Sequence, residues 1–421
     1  MKTLRQFPII ALAAWILVTA APAQAHGPER TPVILFPGWL RTALHVSVSH
    51  QDEFPECPES GWFDFIMGNP NPSGQFSQVC QDKLLTLVLD PDASKPMSRR
   101  IGDHRGVKVS IIDYGKTTSA PAYEPLFAFL EQAGYVRNVN IRVAGWDSRL
   151  TPDLGGFMER TVELIEETFH RNRNTPVHLV GHSNGPVYAL YLLNHTSQAW
   201  RDKYIHGFTA LAGNWPGQGG MSWFFFTGFN FNIPYPDFPW DAENVATSAA
   251  MFQGWPGVHI SCADPGFFGS QEVVIGIAGG TQYTPQDHAQ LFRDAQMPLA
   301  MELADHYLGF VQFATPEHFP NVDVFAEIGS GLPTLVGMEF KQLNVASFYD
   351  NFADVIMRDG DSNQEDLTNN AIRDVWATMP CHRFEFHENP GVEHMSLPSN
   401  SEVLQRLLSH LGQPRSECSI K

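Results

Sequence analysis

A five-residue segment, Gly181-His182-Ser183-Asn184-Gly185, places a serine between two glycines. It follows a β-rich run at 177–180 and precedes a helix predicted over 187–193. A strand, a sharp turn and a helix form the setting in which a serine hydroxyl is presented as a nucleophile near a helix N-terminus. The pattern predicts covalent acyl transfer through Ser183. An ordinary serine in a strand-to-helix turn is the alternative.

Such a serine needs a base, and the base needs an acid that orients it. In chains with this motif the acid follows the serine and the histidine comes last. His394 is the candidate base because it lies between the last predicted strand, 383–387, and the last predicted helix, 401–411. His387 and His382 lie inside or before that strand. A surface histidine is the alternative for His394.

The candidate acid is Asp361, in a polar loop at 358–362. Asp359 is a close rival, and Asp354 and Asp366 lie nearby. Acidic loops are usually solvated, so the residues alone leave this choice open.

An oxyanion formed on the substrate would need two backbone N–H donors. One is expected from Asn184, directly after the serine, and the other from the turn that ends the first strand. That turn spans 37–40, so the second candidate is the N–H of Trp39. A simple strand-ending turn is the alternative.

The first half of the chain alternates short β-rich runs with helical patterns, which predicts an α/β fold with a mostly parallel sheet flanked by helices. The predicted strands are 32–36, 107–114, 139–144, 177–180 and, later, 322–328. The predicted helices are 123–133 and 156–172. Together with the serine turn, this order predicts the α/β-hydrolase fold.

The N-terminus has the layout of a secretory signal peptide over residues 1–25: Lys2 and Arg5, an apolar stretch at 7–18, then Ala23-Gln24-Ala25. We therefore expect one hydrolase domain over 26–421, in an extracellular or lumenal compartment. The formal net charge of −18 argues against nucleic-acid partners and offers no basic anchor for anionic lipid, so any membrane contact must be hydrophobic.

The five cysteines show no metal-ligand spacing, so a structural zinc site is not expected. Acyl transfer through a serine needs neither a metal nor an organic cofactor. Cys57 and Cys80 are close enough in sequence to close a small loop, and an odd number leaves at least one thiol unpaired. Pairing among the remaining three, Cys262, Cys381 and Cys418, stays open.

Several motifs in order resemble the family of lecithin:cholesterol acyltransferases and lysosomal phospholipase A2: Val33 to Leu40 (VILFPGWL), Gln198 to Ile205 (QAWRDKYI) and Pro390 to His394 (PGVEH). The resemblance implies Ser183 as nucleophile, His394 as base and Asp361 as acid. It also implies the N–H groups of Trp39 and Asn184 in the oxyanion hole and a Cys57–Cys80 disulfide.

The resemblance further implies a membrane-contact loop at about 57–80 and an aromatic lid or cap at about 214–257. The expected lipid-contact residues are Trp62, Phe63, Phe65, Ile66 and Met67. The sequence departs from the family at Ser362-Asn363-Gln364, after the acid, and at Asn184 and Pro186 beside the nucleophile.

The activity implied is a serine-dependent lipid O-acyltransferase or phospholipase A that moves a phospholipid acyl chain to a lipid alcohol or to water. The expected partner is a phospholipid membrane or a lipoprotein surface, in a secreted or endolysosomal setting; the oligomeric state is unknown. One alternative is a secreted neutral-lipid lipase or esterase with the same triad. Another is a catalytically decayed lipid-binding protein.

Overall fold

The computed structural model describes residues 30–63, 78–228, 242–270, 272–310, 313–343 and 351–416. Its strands in chain order are β1 (Val33–Phe36), β2 (Leu44–Val48), β3 (Ser60–Phe63), β4 (Leu87–Leu89), β5 (Ile101–Asp103), β6 (Val107–Ile111), β7 (Ile141–Val143), β8 (Val177–His182), β9 (Ile205–Leu211), β10 (Ile275–Ile277), β11 (Gln282–Tyr283), β12 (Val324–Ser330), β13 (Leu332–Phe340), β14 (Phe352–Gly360) and β15 (Phe384–Pro390).

The α-helices of the same residues are α1 (Gln78–Leu85), α2 (Glu124–Gln132), α3 (Phe157–Arg171), α4 (Gly185–Asn194), α5 (Gln198–Tyr204), α6 (Phe224–Thr227), α7 (Ala242–Gln253), α8 (Pro256–His259), α9 (His288–Asp294), α10 (Pro298–Tyr307), α11 (Asp366–Asn369), α12 (Arg373–Trp376) and α13 (Ser401–Gly412). No helix in the described ranges is long and apolar enough to cross a membrane.

A six-stranded sheet in the order β15-β12-β9-β8-β1-β7 forms the centre of the fold, and each neighbouring pair is parallel. Strands β1 and β8 are buried along their whole length, as their apolar sequences predict. Because parallel strands end at the same edge, the segments after β1, β8 and β15 meet there. These three segments contain the predicted oxyanion turn, the serine and the histidine.

Helices cover both faces of this sheet. The buried side chains of α3 and α4 pack on one face, while those of α2 and α13 pack on the other. The stripe predicted for the long helix is buried: Phe157, Thr161, Leu164, Ile165 and Thr168. The parallel sheet flanked by helices is therefore confirmed.

Two strand assignments differ from the sequence prediction. The strand at 107–111 does not join the parallel sheet but pairs antiparallel with β2 in a separate three-stranded sheet. A long antiparallel hairpin, β13–β14, was not predicted; the candidate acid follows its second strand directly. Strand propensity gives no information about which neighbour a strand will pair with.

Candidate active site

Ser183 lies in a strained turn between β8 and α4. Its φ is 61°, in the left-handed region that is unfavourable for a residue with a Cβ. A Cβ on Gly181 would lie 2.6 Å from the nitrogen of Pro186, and one on Gly185 would clash with the carbonyl oxygen of Phe36. The two glycines of the motif are thus required because neighbouring backbone lies too close to each of them for a side chain. The turn holds the serine at the edge of the sheet.

His394 and Asp361 form a buried pair. Nδ1 of His394 lies 2.8 Å from Oδ2 of Asp361, and the backbone N–H of His394 donates to the Asp361 carbonyl at 2.8 Å. Both side chains are 1% exposed or less. Because Nδ1 faces a carboxylate, this nitrogen carries the proton and Nε2 is left as the basic atom.

The loop after β14 fixes the other carboxylate oxygen of Asp361. Oδ1 accepts the N–H of Gln364 at 2.7 Å and that of Asn363 at 3.1 Å. The rival Asp359 lies within β14, opposite Pro333, and is exposed. The structure therefore brings Asp361, and not Asp359, to the histidine.

Gly329, in β12, lets the acid and histidine loops approach each other. A Cβ at this position would lie 2.9 Å from Cβ of Asp361 and would clash with the carbonyl of Val392. No sequence motif marked this glycine as part of the site.

Ser183 and His394 line the same cavity of about 140 Å³. Nε2 of His394 is buried and makes no hydrogen bond with any of the described residues. The apolar wall is formed by Trp39, Met221, Trp223, Phe224 and Leu335. The serine, the histidine and an apolar wall therefore line one space.

The turn after β1 packs against the serine. A Cβ on Gly38 would lie 3.0 Å from Cβ of Ser183. The amides on either side of Trp39 are both held: the Gly38 N–H donates to the Tyr123 hydroxyl at 2.7 Å and the Leu40 N–H to the Ser148 hydroxyl at 2.7 Å. This turn thus has a fixed conformation at the position expected for an oxyanion donor.

A hydroxyl, an imidazole oriented by a carboxylate, and a rigid turn beside them are the parts of a covalent acyl-transfer site. The family comparison agrees with this chemistry: the model for lecithin:cholesterol acyltransferase matches residues 74–259, a range that includes Ser183. Over this range the chain is similar to the lecithin:cholesterol acyltransferase family.

Curated relatives in this family align over most of the chain. The mouse lysosomal phospholipase A and acyltransferase is 29% identical over 323 residues, covering 73% of this chain and 74% of its own. The dog protein of the same name is 27% identical and covers 93% and 94%. The human phosphatidylcholine-sterol acyltransferase is 25% identical and covers 89% and 83%.

Among solved structures, that of the Tle4–Tli4 complex superposes with a TM-score of 0.55 at 11% identity, covering 90% of this chain and 97% of that chain. At this identity the likeness shows the fold alone. The fold is that of an α/β-hydrolase, as the sequence predicts.

Asn184 departs from the more apolar neighbours expected beside the serine from the family resemblance, and the structure shows what it binds. Its side-chain amide donates to the Ser261 hydroxyl at 2.6 Å, and its carbonyl oxygen accepts from the Asn214 amide at 2.7 Å. Ser261 in turn donates to the Gly257 carbonyl. This buried network joins the serine turn to the chain after α8 and gives the polar side chain its partners.

The aromatic lid expected at about 214–257 is only partly described. Within it, Trp223, Phe224, Phe225 and Phe226 are buried in an apolar core cluster of the described residues, together with side chains of α7 and β13. Phe224 packs edge-on against Trp39 at 5.1 Å between ring centroids. Of the four rings, Trp223 and Phe224 line the cavity and cover the site. Residues 229–241 of the expected lid lie outside the described residues.

The expected Cys57–Cys80 disulfide is present, with its Cα atoms 5.5 Å apart. Cys381 is also disulfide-bonded, and Cys262 is a free, buried thiol. The expected lipid-contact residues Phe65, Ile66 and Met67 lie outside the described residues, as do the side chains of Trp62 and Phe63. The signal peptide expected at 1–25 also lies outside them.

Two groups near the pair were not identified from the sequence. Glu365 accepts the Gly219 N–H at 2.9 Å, and burial raises the pKa of its carboxyl to about 7. His182 lies beside His394, with ring centroids 4.9 Å apart, and burial lowers its pKa well below the ordinary value. His182 was part of the motif, but only its tertiary neighbours indicate a role.

Proposed function

We propose that this chain is a serine-dependent phospholipid acyltransferase and phospholipase A, with Ser183 as nucleophile, His394 as base and Asp361 as acid. The observation that carries the proposal is the buried His394–Asp361 pair, whose histidine lines the same cavity as Ser183. The activities named for its relatives, phospholipase A and acyltransferase, support the substrate class.

In the first step, Nε2 of His394 takes the proton of the Ser183 hydroxyl as the oxygen attacks the acyl carbonyl of a phospholipid ester. The N–H groups of Trp39 and Asn184 are the proposed donors to the resulting oxyanion. Collapse of the tetrahedral species breaks the ester bond and forms acyl-Ser183. The imidazolium returns its proton to the leaving alkoxide, so a lysophospholipid departs.

In the second step, an acceptor hydroxyl enters the site, and His394 removes its proton. The acceptor oxygen attacks acyl-Ser183, and the regenerated serine oxygen takes the proton back. Water as acceptor gives a fatty acid, whereas a lipid alcohol such as a sterol or a ceramide gives a new ester. The same residues serve both outcomes because only the second nucleophile differs.

Asp361 orients the imidazole and stabilises the imidazolium that forms in each step. Its own position is fixed by the two N–H groups of Asn363 and Gln364. Because the pair is removed from water, the attraction between the carboxylate and the imidazolium is stronger than it would be at the protein surface.

The apolar wall of the cavity suits a fatty acyl chain. Trp39 and Phe224 pack at 5.1 Å, and Phe224 stacks on Trp223 at 4.1 Å. We further propose that the lipid-contact loop at about 57–80, closed by its disulfide, and the lid bring the site to a phospholipid bilayer or lipoprotein surface.

We also propose a secreted or endolysosomal location. The Cys57–Cys80 disulfide and the bonded Cys381 support an oxidising compartment, where disulfides persist. The lysosomal phospholipase among the relatives supports the same choice.

The test measures acyl release from phosphatidylcholine liposomes in which one acyl group is labelled. The assay is run with and without a sterol or ceramide acceptor, for the full-length protein and for Ser183→Ala. We expect serine-dependent product, and the ratio of fatty acid to new ester assigns the acceptor. Serine-dependent release from triglyceride but not from phospholipid would instead establish the neutral-lipid lipase. Absence of any serine-dependent product would contradict an enzymatic function and favour a lipid-binding protein.

A further inference from the structure

A chain of hydrogen bonds connects the turn after β1 to the backbone of His394. The Gly38 N–H lies 2.7 Å from the Tyr123 hydroxyl, which lies 2.8 Å from Nδ1 of His182. Nε2 of the same imidazole lies 3.0 Å from the His394 carbonyl oxygen. The chain thus joins four segments that are far apart in sequence, and all its members are buried.

The two ends of this series of hydrogen bonds determine which group donates in each bond. An amide N–H at Gly38 can only donate, and a carbonyl at His394 can only accept. Tyr123 therefore accepts from Gly38 and donates its own proton to Nδ1 of His182. His182 must then carry its proton on Nε2, where it donates to the His394 carbonyl.

Burial keeps both bridging side chains neutral. It raises the pKa of the Tyr123 hydroxyl and lowers that of the His182 imidazole well below its ordinary value. The protons therefore stay as described above while both bridging side chains are neutral.

We infer that Tyr123 and His182 are positioning residues that hold the oxyanion turn and the base in register with each other. This inference rests on the proposed function. Trp39, the proposed donor, lies between the amide of Gly38, bound by Tyr123, and the amide of Leu40, bound by Ser148. Tyr123 is not among the residues that line the cavity. His182 borders the cavity, but its two ring nitrogens are bound to the Tyr123 hydroxyl and to the His394 carbonyl. Each residue therefore acts through the backbone that the hydrogen bonds hold.

Loss of the Tyr123 hydroxyl would leave a buried N–H at Gly38 and a buried acceptor at His182 without their partners. The Trp39 N–H would still be present but less well placed. Because a whole oxyanion donor contributes about 100- to 1,000-fold, we expect Tyr123→Phe to lower kcat on the order of 10-fold, with KM unchanged.

The test compares Tyr123→Phe with Tyr135→Phe in the full chain. Tyr135 is a buried tyrosine whose hydroxyl makes no hydrogen bond with the described residues. The readouts are the rate of Ser183 labelling by a fluorophosphonate and the kcat and KM for a short p-nitrophenyl ester, with circular dichroism to verify folding. Slower labelling and a lower kcat in Tyr123→Phe alone would support the inference.

A second pair of variants keeps the test decisive if Tyr123→Phe does not fold. In His182→Gln the side-chain amide can replace the Nε2–H donor, whereas the leucine of His182→Leu has no donor. We expect His182→Gln to retain more labelling rate and kcat than His182→Leu at equal thermal stability.

Two results would overturn different parts of the account. If Tyr123→Phe has the same labelling rate and kcat as Tyr135→Phe, the positioning role is wrong while the proposed function stands. Where Tyr123→Phe does not fold, the same conclusion follows if both His182 variants have the labelling rate and kcat of the unmodified protein. If the unmodified protein is not labelled at Ser183, the proposed function itself fails, and this inference fails with it.

Discussion

Asp361 binds His394 twice: its carboxylate accepts from Nδ1 at 2.8 Å, and its backbone carbonyl accepts from the His394 N–H at 2.8 Å. One contact orients the ring, and the other fixes the backbone that carries it. The two roles are separable, because a side-chain substitution removes only the first.

Asp361→Asn therefore should leave the histidine backbone in place but disturb the tautomer of the ring. We expect kcat to fall on the order of 1,000- to 10,000-fold with little change in fold, as loss of the acid does in other serine triads. The control is Asp359→Asn, two residues earlier and exposed. Comparable kcat losses in both variants would contradict the assignment of Asp361.

The contact between Asn184 and Ser261 predicts energetic coupling. Ser261→Ala leaves the buried Asn184 amide without its partner at 2.6 Å, so we expect a loss of about 1–3 kcal/mol in the free energy of unfolding. A double-mutant cycle with Asn184→Ala, measured by urea denaturation, should give a coupling energy of about 0.5–3 kcal/mol. Additive losses would show that the network does not act as a unit.

Glu365 predicts a specific dependence of stability on pH. Burial raises its pKa to about 7 in the folded protein, above the ordinary value of 4.5. Between these values the folded state holds a proton that the unfolded state has lost. The contribution of this group to stability is thus fully present below pH 4.5 and is lost as the pH rises to about 7.

Glu365→Gln removes this dependence, because the amide stays neutral and can still accept the Gly219 N–H. The free energy of unfolding of the variant minus that of the unmodified protein should be about 3 kcal/mol larger at high pH than at low pH, so the variant gains relative stability as the pH rises. Glu59→Gln, at an exposed position, is the control. A difference that does not change with pH would contradict a raised pKa at Glu365.

Substitution of Gly185, which follows the serine turn, should create a steric clash with the neighbouring strand. A Cβ on Gly185 would clash with the carbonyl of Phe36, in the neighbouring strand β1. We expect Gly185→Ala to lower the free energy of unfolding by about 3 kcal/mol or more. Gly412→Ala is the matched control, since a Cβ there meets no atom within 4 Å. Equal thermal stability of the two variants would show that the turn can relax.

Local patterns were enough to predict the main elements of the site. The serine turn, the late histidine and the strands at β1, β8 and β15 each carry a signal within a few residues of sequence. Parallel strands bring their carboxyl ends together, so the proximity of these segments followed from the fold class.

The rest of the site depends on tertiary pairing that no local pattern encodes. Asp361 is brought to His394 by the β13–β14 hairpin, which was not predicted, and Asp359 could be set aside only once its strand position was known. Tyr123 and His182 looked like ordinary polar residues until their partners were placed. The rings of Trp223 to Phe226 were equally compatible with a lipid-facing lid or a buried cap, and the structure buries them.

The most direct test of the central claim is to trap the acyl-enzyme. The full chain would be mixed with phosphatidylcholine liposomes that carry one defined acyl chain, quenched in acid within the first turnover, and digested for peptide mass spectrometry. We expect the mass of that acyl group on the peptide at Ser183, and none on the same peptide of Ser183→Ala. An acyl group on another residue, or undiminished fatty-acid release by Ser183→Ala, would contradict it.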